Sequence, residues 1–240
     1  MRFIKSFTTG LVTALLATSA FGELTQLVRS PEPQGLSVRA PRGLGADPGN
    51  KKRADYVKFC SKAQKKKGKR DVDVEEREVV IRAKPDGYLD VSPGSAKAQK
   101  ASETVKGLFS DGFGTCVGIA FVGTPPAKKP DGINRILMHL SLGAVWADID
   151  KQFRNLEAAV EDAKLTSTRA VLFTIDTRNS NPELSDPDLK DEATNLELDY
   201  ARIFTSLKKI ADSVTRSYHP FSNVGEMQID PNNRITWKNS

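Results

Sequence analysis

Two short apolar runs constrain the fold of this chain most strongly. The first is 114–122, GTCVGIAFV, and the second is 135–142, RILMHLSL. Each run is bounded by Gly, Pro or Asp, as is typical of strands that enter a core. The connection between them, 123–132, contains too much Pro and Gly to continue either strand or to form a helix. The pattern therefore predicts two neighbouring antiparallel strands.

This predicted hairpin brings a thiol towards an imidazole. If the hairpin is symmetric about its turn, Cys116 lies opposite His139, and directly opposed β-carbons are about 4.5–5.5 Å apart. Side chains alternate along a strand, so Cys116 shares its face with Gly118 and Ala120. The Cys–His face is then lined by small residues, which favours a site that admits a substrate, although a bulge would shift this register.

A cysteine beside a histidine suits nucleophilic acyl transfer. The thiolate attacks a carbonyl carbon while the imidazole moves protons. The backbone N–H groups of Gly114, Thr115 and Val117 are candidates for holding the oxyanion that forms. The alternative for His139 is a histidine that is hydrogen-bonded within the core and has no chemical role.

The Gly-Thr-Cys-Val step, the apolar strand after it and the next strand with its histidine resemble the chemoreceptor glutamine deamidases (CheD) and the cytotoxic necrotizing factor toxins. The resemblance covers about 110–175. It implies a protein-glutamine deamidase with Cys116 as nucleophile and His139 as proton carrier. Ser110 stands where this family typically has a threonine, and the resemblance implies that it orients His139. No cofactor and no metal ion are implied.

The first residues are typical of a secretory leader. A basic start, Met1–Lys5, precedes a short apolar run, and Ala20, Phe21 and Gly22 suit a cleavage site. Residues 1–22 are therefore predicted to be a signal peptide and the protein to be secreted. The apolar run is too short to span a bilayer, and no later run reaches that length.

Residues 23–70 are predicted to be a disordered basic pro-region, because they contain much Pro, Gly, Lys and Arg and few large apolar residues. Lys-Arg pairs that end at Arg53 and Arg70 suit a dibasic processing protease; a solvated charged linker is the alternative. Residues 1–70 hold 15 Lys and Arg and 4 Asp and Glu, whereas 71–240 hold 21 and 26. The domain at 71–240 is thus acidic, which argues against a nucleic-acid partner.

The chain has two cysteines, Cys60 and Cys116, and a secreted chain meets an oxidising compartment. They can form a disulfide, which would consume the predicted nucleophile. Processing after Arg70 would instead leave Cys116 as the lone thiol of the mature domain. A latent form, in which Cys60 masks Cys116 until reduction inside a target cell, combines both possibilities.

The rest of the domain is predicted to be α/β or α+β, a mostly antiparallel sheet or sandwich with outer helices. Strands are expected at 78–83, 88–91 and 169–176, and a closing hairpin at 224–237. Helices are expected at 96–108, 144–165 and 193–217, which makes His219 a residue of a helix C-terminus and not a catalyst.

The functional expectation is a secreted Cys–His amidohydrolase, a glutamine deamidase that acts as a toxin or effector on a protein, outside or inside a target cell. The alternative is a non-enzymatic secreted protein, stapled by Cys60–Cys116, that binds a host or competitor surface.

Overall fold

The structure is a computed structural model that describes residues 42–53, 84–143 and 145–239. These residues belong to one compact unit, Arg39–Ser240. The predicted signal peptide, the predicted strand at 78–83, Cys60 and Arg70 lie outside the described residues.

The described part of the chain contains nine strands and two long helices. The strands are β1 Tyr88–Asp90, β2 Ser95–Lys100, β3 Gly107–Phe113, β4 Val117–Thr124, β5 Ile133–Leu140, β6 Thr166–Ile175, β7 Ser213–His219, β8 Gly225–Ile229 and β9 Ile235–Asn239. The helices are α1 Trp146–Ala163 and α2 Pro187–Leu207, and a short 3₁₀-helix covers Pro182–Ser185.

The strands form two sheets. The four-stranded sheet has the order β1-β3-β8-β9, and the five-stranded sheet has the order β2-β5-β4-β6-β7. Only the β1–β3 and β6–β7 pairings of the described residues are parallel; the others are antiparallel. The predicted α+β class with mostly antiparallel sheets is confirmed.

The five-stranded sheet lies between the helices and the second sheet. One face of β4, with Val117, Ile119 and Phe121, packs in a core with both helices. The other face, with Cys116 and Ala120, packs against residues of the four-stranded sheet. The division of side chains between faces that alternation predicts for β4 and β5 is confirmed, because each face has its own apolar partner layer.

The predicted register of the central hairpin is wrong by two residues. Gly118, and not Cys116, is paired with His139. The cause is the turn: β4 extends to Thr124 and β5 begins at Ile133, so the connection is centred later than the symmetric estimate. Since side chains repeat every two residues, the even shift leaves Cys116 and His139 facing the same layer.

The predicted helix at 96–108 is wrong. This stretch forms β2 and part of β3, and Ala96 and Ala98 pack against the helix-side core in strand alternation. Helix propensity of Ala, Lys and Gln is outweighed here by pairing with β5.

The last predicted helix, 193–217, is displaced towards the N-terminus. α2 begins at Pro187, where the side chain of Asp186 caps the first turn, and it ends at Leu207. Residues 213–219 form β7 in parallel with β6, so His219 ends a strand and not a helix.

Residues 42–53, here called the strap, are ordered although they lie in the stretch predicted to be disordered. Leu44 is 2% exposed, and Asn50 and Arg53 are also buried. Composition fails here because the strap takes its partners from helices that are distant in the sequence. Within the described residues, neither helix has the length and apolar character needed to cross a membrane.

Candidate functional site

Cys116 lies directly before β4 in the layer between the sheets and is fully buried. It is disulfide-bonded, and Cys60, the other cysteine of the chain, lies outside the described residues. In this state the sulfur carries neither a proton nor a negative charge, and it cannot act as a nucleophile.

Ser110 and His139 meet in the same layer, although 29 positions separate them. Ser110 Oγ lies 2.9 Å from His139 Nδ1 and donates its own proton to the carbonyl oxygen of Val91 at 2.6 Å. A hydroxyl has one proton to donate, so the Ser110 oxygen must accept from Nδ1–H. This network assigns the proton of His139 to Nδ1 and leaves Nε2 as an unprotonated base.

His139 Nε2 has no hydrogen-bond partner among the described residues, although the side chain is fully buried. Burial lowers the pKa of His139 to about 3, so the imidazole is neutral at physiological pH. Buried polar atoms nearly always have hydrogen-bond partners, so the unpartnered Nε2 of His139 is an exception within the described residues.

Two phenylalanines fix the histidine from the side. The ring of Phe113 lies 4.3 Å from the imidazole of His139, and Phe173 meets Phe113 edge-on at 5.8 Å. Gly112 has φ +79°, and the pairing of β3 with β8 shifts register between Asp111 and Phe113. Such a bulge redirects the following side chain, so Gly112 before an aromatic is the signal that could have revealed Phe113.

His219 occupies the other side of Phe173, with the two rings 5.1 Å apart. Its Nδ1–H donates to the carbonyl oxygen of Pro220 at 3.0 Å, and its Nε2 has no partner among the described residues. Burial lowers the pKa of His219 to about 4, against an opposing effect of the Pro220 hydrogen bond. His219 lies at the end of β7 and not at the predicted helix C-terminus.

The three predicted oxyanion donors differ in what they do. The N–H of Gly114 donates to the carbonyl oxygen of Gly112 at 2.8 Å and is therefore already used. Val117 is paired with Leu140 at the start of β4, and Thr115 is buried. A β-carbon added at Gly114 would meet none of the described residues within 4 Å.

Arg53, a predicted processing site, is the last residue of the strap, and its side chain is buried. Its side chain is 8% exposed and forms ion pairs with Asp199 at 2.7 Å and with Asp47 at 2.6 Å. Burial alone would lower the pKa of Arg53, but these hydrogen bonds outweigh it and the pKa lies above its usual range. The other predicted processing site, Arg70, lies outside the described residues.

The described residues show no group of three or more His, Cys, Asp or Glu side chains that could hold a metal ion. A surface pocket of about 600 Å³ lies between the start of β6 and the end of α2, with Thr168, Lys208 and Asp212 in its wall. Neither Cys116 nor His139 lines this pocket.

No protein-family model matches the chain, and no curated protein matches it.

Proposed function

We propose that the protein is a secreted Cys–His amidohydrolase, a protein-glutamine deamidase that the Cys116 disulfide keeps latent. The hydrogen bond from His139 Nδ1–H to Ser110 carries this proposal. It joins two residues that the deamidase resemblance selects separately, and it leaves on Nε2 the lone pair that a general base requires.

Activation begins with a thiol reductant. Two reductant thiols give two electrons and two protons to the disulfide, become a disulfide themselves, and leave Cys116 and its partner cysteine as thiols. An extracellular, oxidising environment favours the latent form, and the reducing cytosol of a target cell favours the active one. The orphan Nε2 is consistent with this order, because the proton that it accepts exists only after reduction.

The reaction then uses the side chains of the chain itself. His139 Nε2 takes the proton of Cys116, and the thiolate attacks the side-chain amide carbon of glutamine. The tetrahedral intermediate expels ammonia with the proton from the imidazolium, which leaves a thioester. His139 next takes a proton from water as the water attacks the thioester carbon. Collapse releases glutamate, and Cys116 recovers its proton.

Ser110 serves as a positioning residue in this scheme. By accepting from Nδ1–H while it donates to Val91, it holds one tautomer and one ring orientation of His139. Gly114 is half-buried, and the space beside its α-carbon, which no described residue fills within 4 Å, is proposed to admit the amide.

The experiment measures ammonia release from a mixture of glutamine-containing peptides and the accompanying change of glutamine to glutamate by mass spectrometry. Activity is expected with a thiol reductant and not without it. A Cys60→Ser variant should be active without reductant, whereas Cys116→Ser should be inactive under both conditions. Ser110→Ala should lose about 10²-fold or more in kcat, and Ser110→Thr should recover most of this loss.

Two results would contradict the proposal. One is deamidation by Cys116→Ser at the rate of the unmodified protein. The other is a reduced, folded protein in which Cys116 reacts with iodoacetamide no faster near neutral pH than an ordinary thiol.

The second candidate is a non-enzymatic secreted binding protein stapled by its disulfide. The bonded sulfur of Cys116 and the fully buried His139 favour it. In that case the oxidised protein produces the whole biological effect, and Ser110→Ala and Cys116→Ser change it only as far as they change stability. Comparison of cell-surface binding by the oxidised protein and by these variants distinguishes the two candidates.

A further inference from the structure

The strap occupies a groove between α1 and α2 that is lined with carboxylates. Asp150 and Glu157 project from α1 and Asp199 from α2, and all three are buried. Buried carboxylates on the apolar side of a helix pair are costly unless they have partners. The strap supplies partners to each of them.

Backbone groups of the strap meet the α1 side of the groove. The N–H of Gly43 donates to Glu157 Oε2 at 2.7 Å, and the N–H of Leu44 donates to Asp150 Oδ1 at 2.5 Å. The indole N–H of Trp146 donates to the carbonyl oxygen of Gly45 at 2.7 Å.

Position 43 requires glycine. The φ of Gly43 is +65°, and a β-carbon there would lie 2.3 Å from an oxygen of Asp150. Leu44, the next residue, packs in the core on the helix side of the sheet.

The C-terminal end of the strap fills an arginine pocket. The guanidinium of Arg53 binds Asp199, whose side chain is fully buried, and lies 4.7 Å from the ring centre of Trp146. Asp47 of the strap binds the same guanidinium, and Asn50 Nδ2 donates to Asp199 at 2.8 Å. The hydrogen bonds of the Asp199 carboxylate within the described residues all come from the strap.

We propose that the α1–α2 groove is a peptide-binding site with an arginine pocket, that its ligand is the strap, and that it withholds Arg53 from dibasic processing proteases. A protease that cleaves after Lys-Arg must take the arginine side chain into its own pocket. In the folded protein that side chain is already bound. The strap therefore stays with the folded domain, and this conclusion does not depend on the proposed enzymatic activity.

The test treats the purified full chain with a Lys-Arg-specific endoprotease and follows cleavage after Arg53 by mass spectrometry. A synthetic peptide that covers residues 48–58 is the unprotected reference. The folded protein is expected to be cut after Arg53 at least 100-fold more slowly than the peptide. Cleavage of the folded protein at the rate of the peptide would overturn the proposal.

Two variants show whether the arginine pocket causes the protection. Asp199→Asn is expected to accelerate cleavage after Arg53 at least 10-fold, with circular dichroism used to verify that the variant is folded. Asp191→Asn removes only the exposed ion pair with Lys52 and is expected to change nothing. A folded Asp199→Asn protein that resists as well as the unmodified chain would overturn the role of the pocket. If Asp199→Asn does not fold, Asp47→Asn replaces it and must be cut faster than Asp191→Asn.

A second measurement tests binding directly. A specific protease site is inserted between residues 62 and 63, and the cut protein is reduced and passed through a gel-filtration column. The strap fragment is expected to elute with the domain after reduction, and it should separate when Asp199→Asn is present. Release of the fragment from the unmodified domain on reduction alone would show that the disulfide, and not the groove, retains it.

Discussion

Polar side chains are buried on both sides of the five-stranded sheet, but their hydrogen bonding differs. On the helix side, Arg53 and Asp199 form a charged pair in which each member has several partners. On the inter-sheet side, His139 is neutral and leaves Nε2 without a partner among the described residues. The helix-side pair is a fully hydrogen-bonded structural contact, whereas one nitrogen of the inter-sheet histidine has no hydrogen bond within the described residues.

The difference follows from the cost of burial. An unpaired charge in a core is far more costly than an unpaired neutral nitrogen. The buried Arg53–Asp199 pair is therefore stable only if both charged groups have all their hydrogen-bond partners. A neutral imidazole tolerates one missing hydrogen bond at a cost of about 1–3 kcal/mol. An unpaired neutral nitrogen is therefore tolerated between the two sheets, whereas an unpaired charge on the helix side of the five-stranded sheet is not.

The largest expected change in the free energy of unfolding comes from the buried Arg53–Asp199 pair. Asp199→Asn should lower the free energy of unfolding by about 3–5 kcal/mol, because it leaves the buried Arg53 without its main counter-charge. Asp191→Asn, which breaks an exposed pair, should change it little, because solvent screens that pair. Urea unfolding curves measure both variants. Equal losses would show that the buried pair does not differ from an ordinary surface pair.

The second effect is the dependence of stability on pH. Burial lowers the pKa of His139 to about 3 and that of His219 to about 4, below the usual value of about 6.5. At a pH between each folded pKa and about 6.5, the unfolded chain therefore binds more protons than the folded chain. Each histidine then removes about 1.4 kcal/mol of stability for every pH unit between about 6.5 and its folded pKa, and contributes no further loss outside that window.

Urea unfolding at a series of pH values from neutral to mildly acidic measures this slope. His219→Gln should reduce the slope by the contribution of one histidine. An unchanged slope in this variant would mean that carboxylates, and not the inter-sheet imidazoles, dominate acid unfolding.

A smaller change in stability is expected from loss of the His139–Ser110–Val91 hydrogen bonds between the two sheets. Ser110→Ala removes the acceptor of His139 Nδ1–H and the donor to Val91, and should cost about 1–3 kcal/mol of stability. Ser110→Thr keeps the hydroxyl and should cost less. Thermal unfolding of the oxidised protein measures both variants, and a stable Ser110→Ala would mean that these hydrogen bonds contribute little to the resting fold.

The smallest expected change in stability distinguishes two glycines of the apolar run 114–122, Gly114 and Gly118. A β-carbon at Gly118 would lie 3.1 Å from the ring of Phe113 and 3.3 Å from the sulfur of Met227. Gly118→Ala should therefore destabilise the protein by about 1 kcal/mol, since the inter-sheet layer must shift to admit a methyl group. A β-carbon at Gly114 would meet none of the described residues within 4 Å, so Gly114→Ala should stay within about 0.5 kcal/mol of the unmodified protein. Similar values for the two variants would show that the inter-sheet layer is loosely packed.

The sequence predicts the site between the two sheets better than the contacts of the strap. The reason is the separation along the chain between the residues that interact. The β4–β5 hairpin is local, so alternation assigns Cys116 and His139 to one face even with the register misplaced by two residues. The turn geometry that sets the register has no clear sequence signal. The Ser110–His139 bond follows from the resemblance, and the structure brings these two side chains together.

Longer-range features are not visible in local patterns. The apolar spacing of the predicted last helix continues through Val214, but 213–219 form β7, which pairs in parallel with β6. The strap has the composition of a disordered segment, and its order comes from α1 and α2. Neither partner can be read from the residues of the segment itself.

The separation along the chain between Arg53 and Asp199, 146 positions, has a consequence for the order of events during synthesis. The arginine emerges from the ribosome long before the carboxylate that will bind it, and contacts of such long range form late in folding. A nascent chain that meets a dibasic protease before α2 has folded offers Arg53 in an open, extended segment. Whether the peptide bond after Arg53 is cut then depends on the rate of folding relative to the rate of proteolysis. Slower folding of the C-terminal half yields more chains that have lost their N-terminal segment.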